Sequence, residues 1–459
     1  MGSNTFGRRR HMCEWADLAA DDTDLAAVLA EGQGHHLSPF HLLSVPGMSA
    51  SDQRTCSELW TRERRVAAQL ERDALAFSFQ PSEKRKERHK IRLGYLSNDF
   101  HEHATAHLLI EVLEAHDRDA FEVHAYSFGA DDGLPMRRRL MAACDRFVDI
   151  SAMADNAAAQ LIYDDAVDIL IDLKGFTSQA RSGIALLRPA PVVVNYLGYP
   201  GTMGAGICDY VITDPFLTPP ASAAFYSEAF AYMRNTYHPH GRRTPVGDRP
   251  SRREAGLPAD GFVFCCFNQP YKISPQMFDI WCRLLACVPD SVLWLLDTPH
   301  AAGNLRSEAI ARGIDARRLV FGANMGQADH LRRLQLADLM LDTSPFNAHT
   351  TASDALWVGL PFVTCPGDTF PSRVAGSILH AIGLPDLVTD SPDAYFDLAY
   401  TLATDEERLA DVRARLAANR LTAPLFDVTA YTADLESLYG AMSARHRAHL
   451  PPAIIGMHG

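Results

Sequence analysis

The sequence predicts an α/β protein made of two tandem, doubly wound parallel-sheet domains behind a helical lead-in, and three observations carry that reading. Apolar runs of strand length alternate with helical spacing over residues 91–173 and again over 262–364, an alternation that calls for crossover helices and a parallel sheet. A polar linker, 242–254, separates the two series. The chain has 459 residues, of which 47% are hydrophobic and 22% charged, enough for two full cores.

In order, the lead-in (1–83) shows helical patterning at 21–31 and 56–77, interrupted by Pro39, Pro46 and Gly47. No self-similarity near a 34-residue period is visible, so it does not read as a repeat superhelix. After the basic run Lys84–Lys90, the first lobe (84–245) places strands at 91–97, 121–127, 147–150, 167–173 and 191–196, with helices at 108–115, 136–144 and 156–164. The second lobe (255–420) has strands at 262–267, 291–296 and 319–321, and helices at 275–287 and 329–336. It then reaches the segment 338–367, where an apolar run at 339–341, a break at Pro345, helical spacing at 350–358 and strand residues at 362–364 spell a β-loop-α-β unit. A helix at 405–419 precedes a C-terminal helix and tail (421–459), with Asp427 as N-cap, Leu435, Leu438 and Met442 on one face, and a loose end at 451–459.

Bulk properties exclude several classes. A net charge of −13 lacks the basic footprint that nucleic acid or an anionic membrane surface demands. The dense basic runs, Arg8–Arg10 and Lys84–Lys90, read as solvated tail and linker. Nine cysteines show no metal-binding spacing and read as reduced residues of a cytoplasmic protein. No stretch is apolar enough to span a membrane or act as a leader.

Ligands of doubly wound sheets sit beyond the carboxyl ends of the strands. At such ends lie Asp99 with His101, His103 and His107, then residues 174–181, then 197–202. The helix at 350 opens with His349, Thr350 and Thr351, so backbone N–H groups, hydroxyls and an imidazole meet at its positive end, a natural phosphate site. Thr351 with Asp354 also reads as a weak capping box. Lys272 would add a point charge there, although a surface lysine in a turn is the plainer reading. No acidic pair at a strand end suits Mg²⁺ or Mn²⁺.

The run Asn347-x-His349-Thr350-Thr351-x-x-Asp354-x-Leu356-Trp357-x-Gly359-x-Pro361 resembles the nucleotide-sugar site of the O-linked N-acetylglucosamine (O-GlcNAc) protein transferases. Six further blocks match in order between about residues 91 and 442: 99–108, 187–191, 197–202, 209–214, 267–273 and 289–296. The resemblance implies a GT-B type fold, two Rossmann-like doubly wound domains facing a cleft. It also implies an inverting transfer of N-acetylglucosamine from UDP-GlcNAc to Ser/Thr hydroxyls, without metal or other cofactor.

The same resemblance places Gln269, Lys272, His330, Arg333, His349, Thr350, Thr351 and Asp354 on the donor, His330 against the base. It puts Thr105, His107, Pro200 and Gly201 at the sugar and acceptor pocket. His103 is expected to take the acceptor proton or to orient acceptor and sugar. Asp168 stands where animal members have a histidine, and is expected as a second acid/base group or a hydroxyl ligand, against the simpler reading of a solvated strand start. Two features depart from the family: Gln327 replaces a lysine, and the repeats that usually precede the catalytic half are absent, which leaves room for a separate repeat-bearing subunit to choose the protein acceptor. The rival readings are a SPINDLY-type O-fucosyltransferase using GDP-fucose and a binding module without turnover.

Overall fold

The computed structural model describes residues 3–79, 89–242 and 246–456. Most of the Lys84–Lys90 run, the centre of the polar linker and the last three residues therefore lie outside the described residues. The chain divides into two compact units, one of residues 28–42, 49–242 and 427–459, the other of 1–27, 43–48 and 243–426. The stretch expected as a separate lead-in is thus shared between them, and the final helix belongs to the unit of the first sheet.

In that first unit seven strands, β1 Ile91–Ser97, β2 Phe121–Ser127, β3 Arg146–Asp149, β4 Ile169–Asp172, β5 Val192–Asn195, β6 Tyr210–Thr213 and β7 Ala229–Tyr232, form an all-parallel sheet ordered β3-β2-β1-β4-β5-β6-β7. Every residue of β4, β5 and β6 is buried, as expected where helices cover both faces. β6 and β7 add to the strands read from the sequence. The final helix, Val428–Arg447, lays Leu435, Leu438 and Met442 into the core, and its Tyr431 hydroxyl meets that of Tyr196 at 2.5 Å. The tail expected to be loose is tied down. Tyr232 N–H donates to the Ile455 carbonyl and Ile455 N–H to that of Phe230, both at 3.0 Å, so it covers the unpaired edge that β7 would otherwise expose.

The second unit holds a five-stranded parallel sheet of β8 Val263–Cys266, β9 Val292–Leu296, β10 Leu319–Gly322, β11 Leu339–Leu341 and β12 Phe362–Val363, ordered β10-β9-β8-β11-β12. Helices Ala301–Ala311, Val374–Ala381 and Pro392–Thr404 add to those read from the sequence. Arg9 and Arg10 are not a solvated tail. Arg9 pairs with Asp17 and Asp21, and Arg10, 4% exposed, pairs with Asp22.

Each sheet reverses its strand order once, between β1 and β4 and between β8 and β11. Loops leaving two adjacent strands diverge at such a point and open a crevice. All nine cysteines are free, and no helix among the described residues is long and apolar enough to cross a membrane.

Candidate active site

At the second sheet's reversal, the loop after β8 brings Asn268, Gln269 and Lys272, and the loop after β11 brings residues 342–351. Asp342 organises the latter. Its Oδ1 accepts the N–H groups of Thr343 at 2.8 Å and Ala348 at 2.6 Å, and its Oδ2 accepts the Thr364 hydroxyl at 2.6 Å. Burial pushes its pKa up to about 7. Asn268 links the two loops, donating to Thr343 Oγ1 at 2.7 Å and accepting the Thr351 hydroxyl at 2.6 Å. Neither residue was singled out from sequence; the available signal was a polar residue closing each of two adjacent buried strands.

Lys272 Nζ donates to the Asn347 carbonyl at 2.8 Å and lies 4.0 Å from the centre of the Phe346 ring. Desolvation pushes its pKa down to about 8, against the pull of Asp342. Phe346 also packs on His349 at 5.1 Å. His349 is the N-cap of the helix Thr350–Trp357, and its side chain makes no capping bond. The capping box read for Thr351 does not form, since Thr351 lies inside the helix and its hydroxyl reaches Asn268. Within its first turn the N–H groups of Ala352 and Ser353 bond the His349 carbonyl at 3.0 and 3.3 Å, so Thr350 and Thr351 open the helix beside the Lys272 ammonium. Gln269 is exposed next to them and Asp354 is buried one turn on.

His330 and Arg333 share one helix face. Arg333 Nη2 lies 2.9 Å from His330 Nδ1, and its guanidinium stacks 4.1 Å from the Phe267 ring. Burial and that guanidinium depress His330 to about 4, so its ring is neutral near pH 7 and, with Nδ1 accepting, presents Nε2–H. Arg333 also lines a cavity of about 580 Å³ with Trp294, Phe321, Met325 and Glu254. None of Gln269, Lys272, Thr350 or Thr351 touches that cavity, so it adjoins the His330–Arg333 end of the cluster alone.

At the first sheet's reversal, β1 leads to His103 and β4 to Lys174. Lys174 Nζ binds both oxygens of Asp99 at 3.0 Å, with both side chains under a tenth exposed. Asp99 Oδ2 also accepts the Thr105 hydroxyl at 3.4 Å. His103 is the N-cap of the helix Ala104–Ala115, and its Nδ1 accepts the Thr105 N–H at 3.1 Å. Its side chain is 41% exposed, and its pKa is lowered mainly by desolvation and raised by Asp99. With Nδ1 accepting, the neutral ring carries its hydrogen on Nε2, so this geometry makes His103 a donor rather than a proton acceptor. His107 bonds Glu102. Pro200 and Gly201 are buried in the loop after β5, pinned by Asn195 Nδ2, which donates to the carbonyls of Tyr199 and Gly201. Tyr199 lies so close to Gly175 that a Cβ there would come within 2.4 Å of it, which joins that loop to the one carrying Lys174.

Asp168 is not brought to this cluster. It precedes β4, at the amino-terminal edge of the sheet, where Arg92 N–H donates to its Oδ2 at 2.9 Å. The strands themselves separate it from His103, so the acid/base role expected for it is withdrawn.

The comparisons with known proteins agree on one lineage. The profile of glycosyl transferase family 41 matches residues 65–244 and 241–435. A probable UDP-N-acetylglucosamine–peptide N-acetylglucosaminyltransferase SEC of Arabidopsis thaliana is 39% identical over 366 residues, covering 78% of this chain and 37% of the relative. A UDP-N-acetylglucosamine–peptide N-acetylglucosaminyltransferase of Caenorhabditis elegans is 33% identical, covering 79% and 41%. The chain therefore spans about two fifths of the length of these curated relatives. Among solved structures, a mutant O-GlcNAc transferase of Thermobaculum terrenum superposes with a TM-score of 0.73 at 26% identity, covering 97% of this chain and 98% of that one. On profile, sequence and fold together, this chain is a member of glycosyl transferase family 41.

Proposed function

We propose that the chain is an inverting glycosyltransferase that moves N-acetylglucosamine from UDP-GlcNAc to Ser/Thr hydroxyls of protein. One observation carries the reading: a half-buried lysine held at the amino-terminal end of a helix, at the point where the sheet reverses its strand order. Charge develops on the leaving diphosphate as the glycosidic bond breaks, and fixed donors aimed at that charge lower the barrier. Lys272 supplies the cation and Thr350 and Thr351 the first-turn N–H groups and hydroxyls. Gln269 is assigned to the diphosphate or nucleoside, Asp354 to a ribose hydroxyl, and His330 and Arg333 to the base. This assignment gives the diphosphate's charge to protein groups and needs no metal.

His103 is assigned the second role considered for it, donating from Nε2–H to a substrate oxygen and so orienting it, with the Thr105 N–H holding the ring and Asp99 accepting the Thr105 hydroxyl. The names of the curated relatives and of the superposed structure favour the UDP-GlcNAc donor. Calorimetry with UDP, GDP and their sugars tests the donor, and GDP binding tighter than UDP would sink it. Mass spectrometry of lysate proteins incubated with UDP-GlcNAc tests turnover. A missing 203-Da addition, with UDP still bound, would leave a binding module.

A further inference from the structure

The Gln269–Lys272 turn is backed by a segment that contributes no residue to the site above. The helix Ser3–His11 ends against it. The His11 ring lies 4.8 Å from that of Tyr271, and the Cys13 thiol donates to the Pro270 carbonyl at 3.6 Å. Asn304 Nδ2 donates to the Met12 carbonyl at 2.8 Å, and Trp15 packs edge-on against Phe278 at 5.3 Å, in the helix that follows the turn. On its inner side Tyr271 meets Phe346 at 6.0 Å, the same ring that carries Lys272 Nζ. A continuous line of tilted and edge-on ring contacts therefore runs from His11 through Tyr271 to Phe346, with the lysine at its end.

Cys13 occupies a position that usually belongs to glycine. Its N–H bonds the Arg10 carbonyl at 3.1 Å, and the Glu14 N–H bonds that of Arg9 at 3.0 Å, the paired bonds of a helix-ending Schellman motif with Cys13 as its left-handed residue at φ +50°. A side chain there strains the backbone. The strained residue is nevertheless 1% exposed, and its thiol contacts the turn.

We propose that the segment His11–Trp15 is a positioning element for the Gln269–Lys272 turn, with the Cys13 thiol and the His11 ring fixing where Lys272 meets the donor diphosphate. The inference rests on the reading of Lys272 as a diphosphate ligand. It makes the amino-terminal segment part of donor binding without any contact to the donor.

The test uses Cys13→Gly, His11→Ala and His11→Phe in the full chain, with UDP affinity by calorimetry and steady-state kinetics in UDP-GlcNAc. Glycine suits the left-handed position, so Cys13→Gly keeps the helix end and a native or higher melting temperature while losing the thiol contact. Cys13→Gly and His11→Ala should each raise the UDP Kd and the donor KM about tenfold, and His11→Phe, which keeps a ring on Tyr271, should restore most of the affinity. Native Kd and KM in both deletion variants would overturn the proposal, as would a lowered melting temperature with KM unchanged. Lys272→Ala is run alongside. If it binds UDP and turns over like the native chain, the donor reading has failed and the proposal falls with it; if it is inactive while the other variants are native, only the positioning role has failed.

Discussion

Each sheet presents a lysine at its reversal point, and the two lysines are in opposite electrostatic situations. Lys174 is neutralised by both oxygens of Asp99 at 3.0 Å. Lys272 is held by a carbonyl and an aromatic face. The carboxylate that acts on it, Asp342, is turned to backbone N–H groups and a threonine and pushed by burial up to about 7. A cation at a strand end therefore does not define an anion site. On the proposed assignment, what defines it is that the carboxylate acting on the lysine is engaged elsewhere, which leaves the counter-ion's place to the donor diphosphate.

The strongest way to break this contrast is to remove each lysine in turn. Lys272→Ala should lower turnover about 10²- to 10³-fold, the cost of deleting one preorganised donor to developing negative charge, with the melting temperature near native; steady-state assays with UDP-GlcNAc read it directly. Lys174→Ala should act on stability instead. It strands the buried Asp99 carboxylate, at a cost of about 3–5 kcal/mol, read as a lower urea midpoint. The double variant Asp99→Asn/Lys174→Gln should recover most of that loss. If Lys174→Ala folds normally and fails only in catalysis, the two crevices are alike and the contrast is wrong.

A pH series sharpens the same point with a smaller effect. The folded pKa of Lys272, about 8, lies below its ordinary 10.5, because burial disfavours the ammonium. A bound diphosphate needs that charge, so UDP affinity is full below about pH 8 and falls above it, by up to about tenfold per pH unit. The sign for folding is opposite. Between about 8 and 10.5 the unfolded chain holds a proton that the folded chain releases, so stability rises with pH in that window. Calorimetry at pH 7 and pH 9.5 separates the two, and flat affinity would remove Lys272 from the diphosphate.

The parts legible in the sequence were those with a period or a fixed spacing. The crossover alternation predicted both parallel sheets, and the polar cluster at 347–354 marked the second crevice, because helix starts crowded with polar groups have a short list of physical causes. Groups that act by pairing across the fold were not legible. Nothing local announces that Asp99 belongs to Lys174, 75 residues on, that Asn268 will bridge to Thr351, or that the His11 ring will pack against Tyr271. The tautomer of His103 depends on one backbone N–H, which no spacing rule supplies.

Asp168 carries the smallest expected effect and the sharpest test of where chemistry occurs in the first sheet. Its carboxylate accepts the Arg92 N–H, and its own N–H bonds the Arg92 carbonyl at 2.9 Å, which fixes both residues at the starts of β1 and β4. From Arg92 to the end of β1 at Ser97 is about 16 Å of strand, and His103 lies beyond that end. The surroundings of Asp168 are an edge network of Arg92 with Glu122 and Arg146 with Asp165, suited to closing the sheet rather than to moving protons. Asp168→Asn keeps an acceptor oxygen for Arg92, so turnover should stay within about twofold of native, as for a substitution away from reacting groups. A tenfold or larger loss, with the melting temperature unchanged, would move the chemistry of this unit to the amino-terminal edge of its sheet and remove the basis for comparing the two crevices at all.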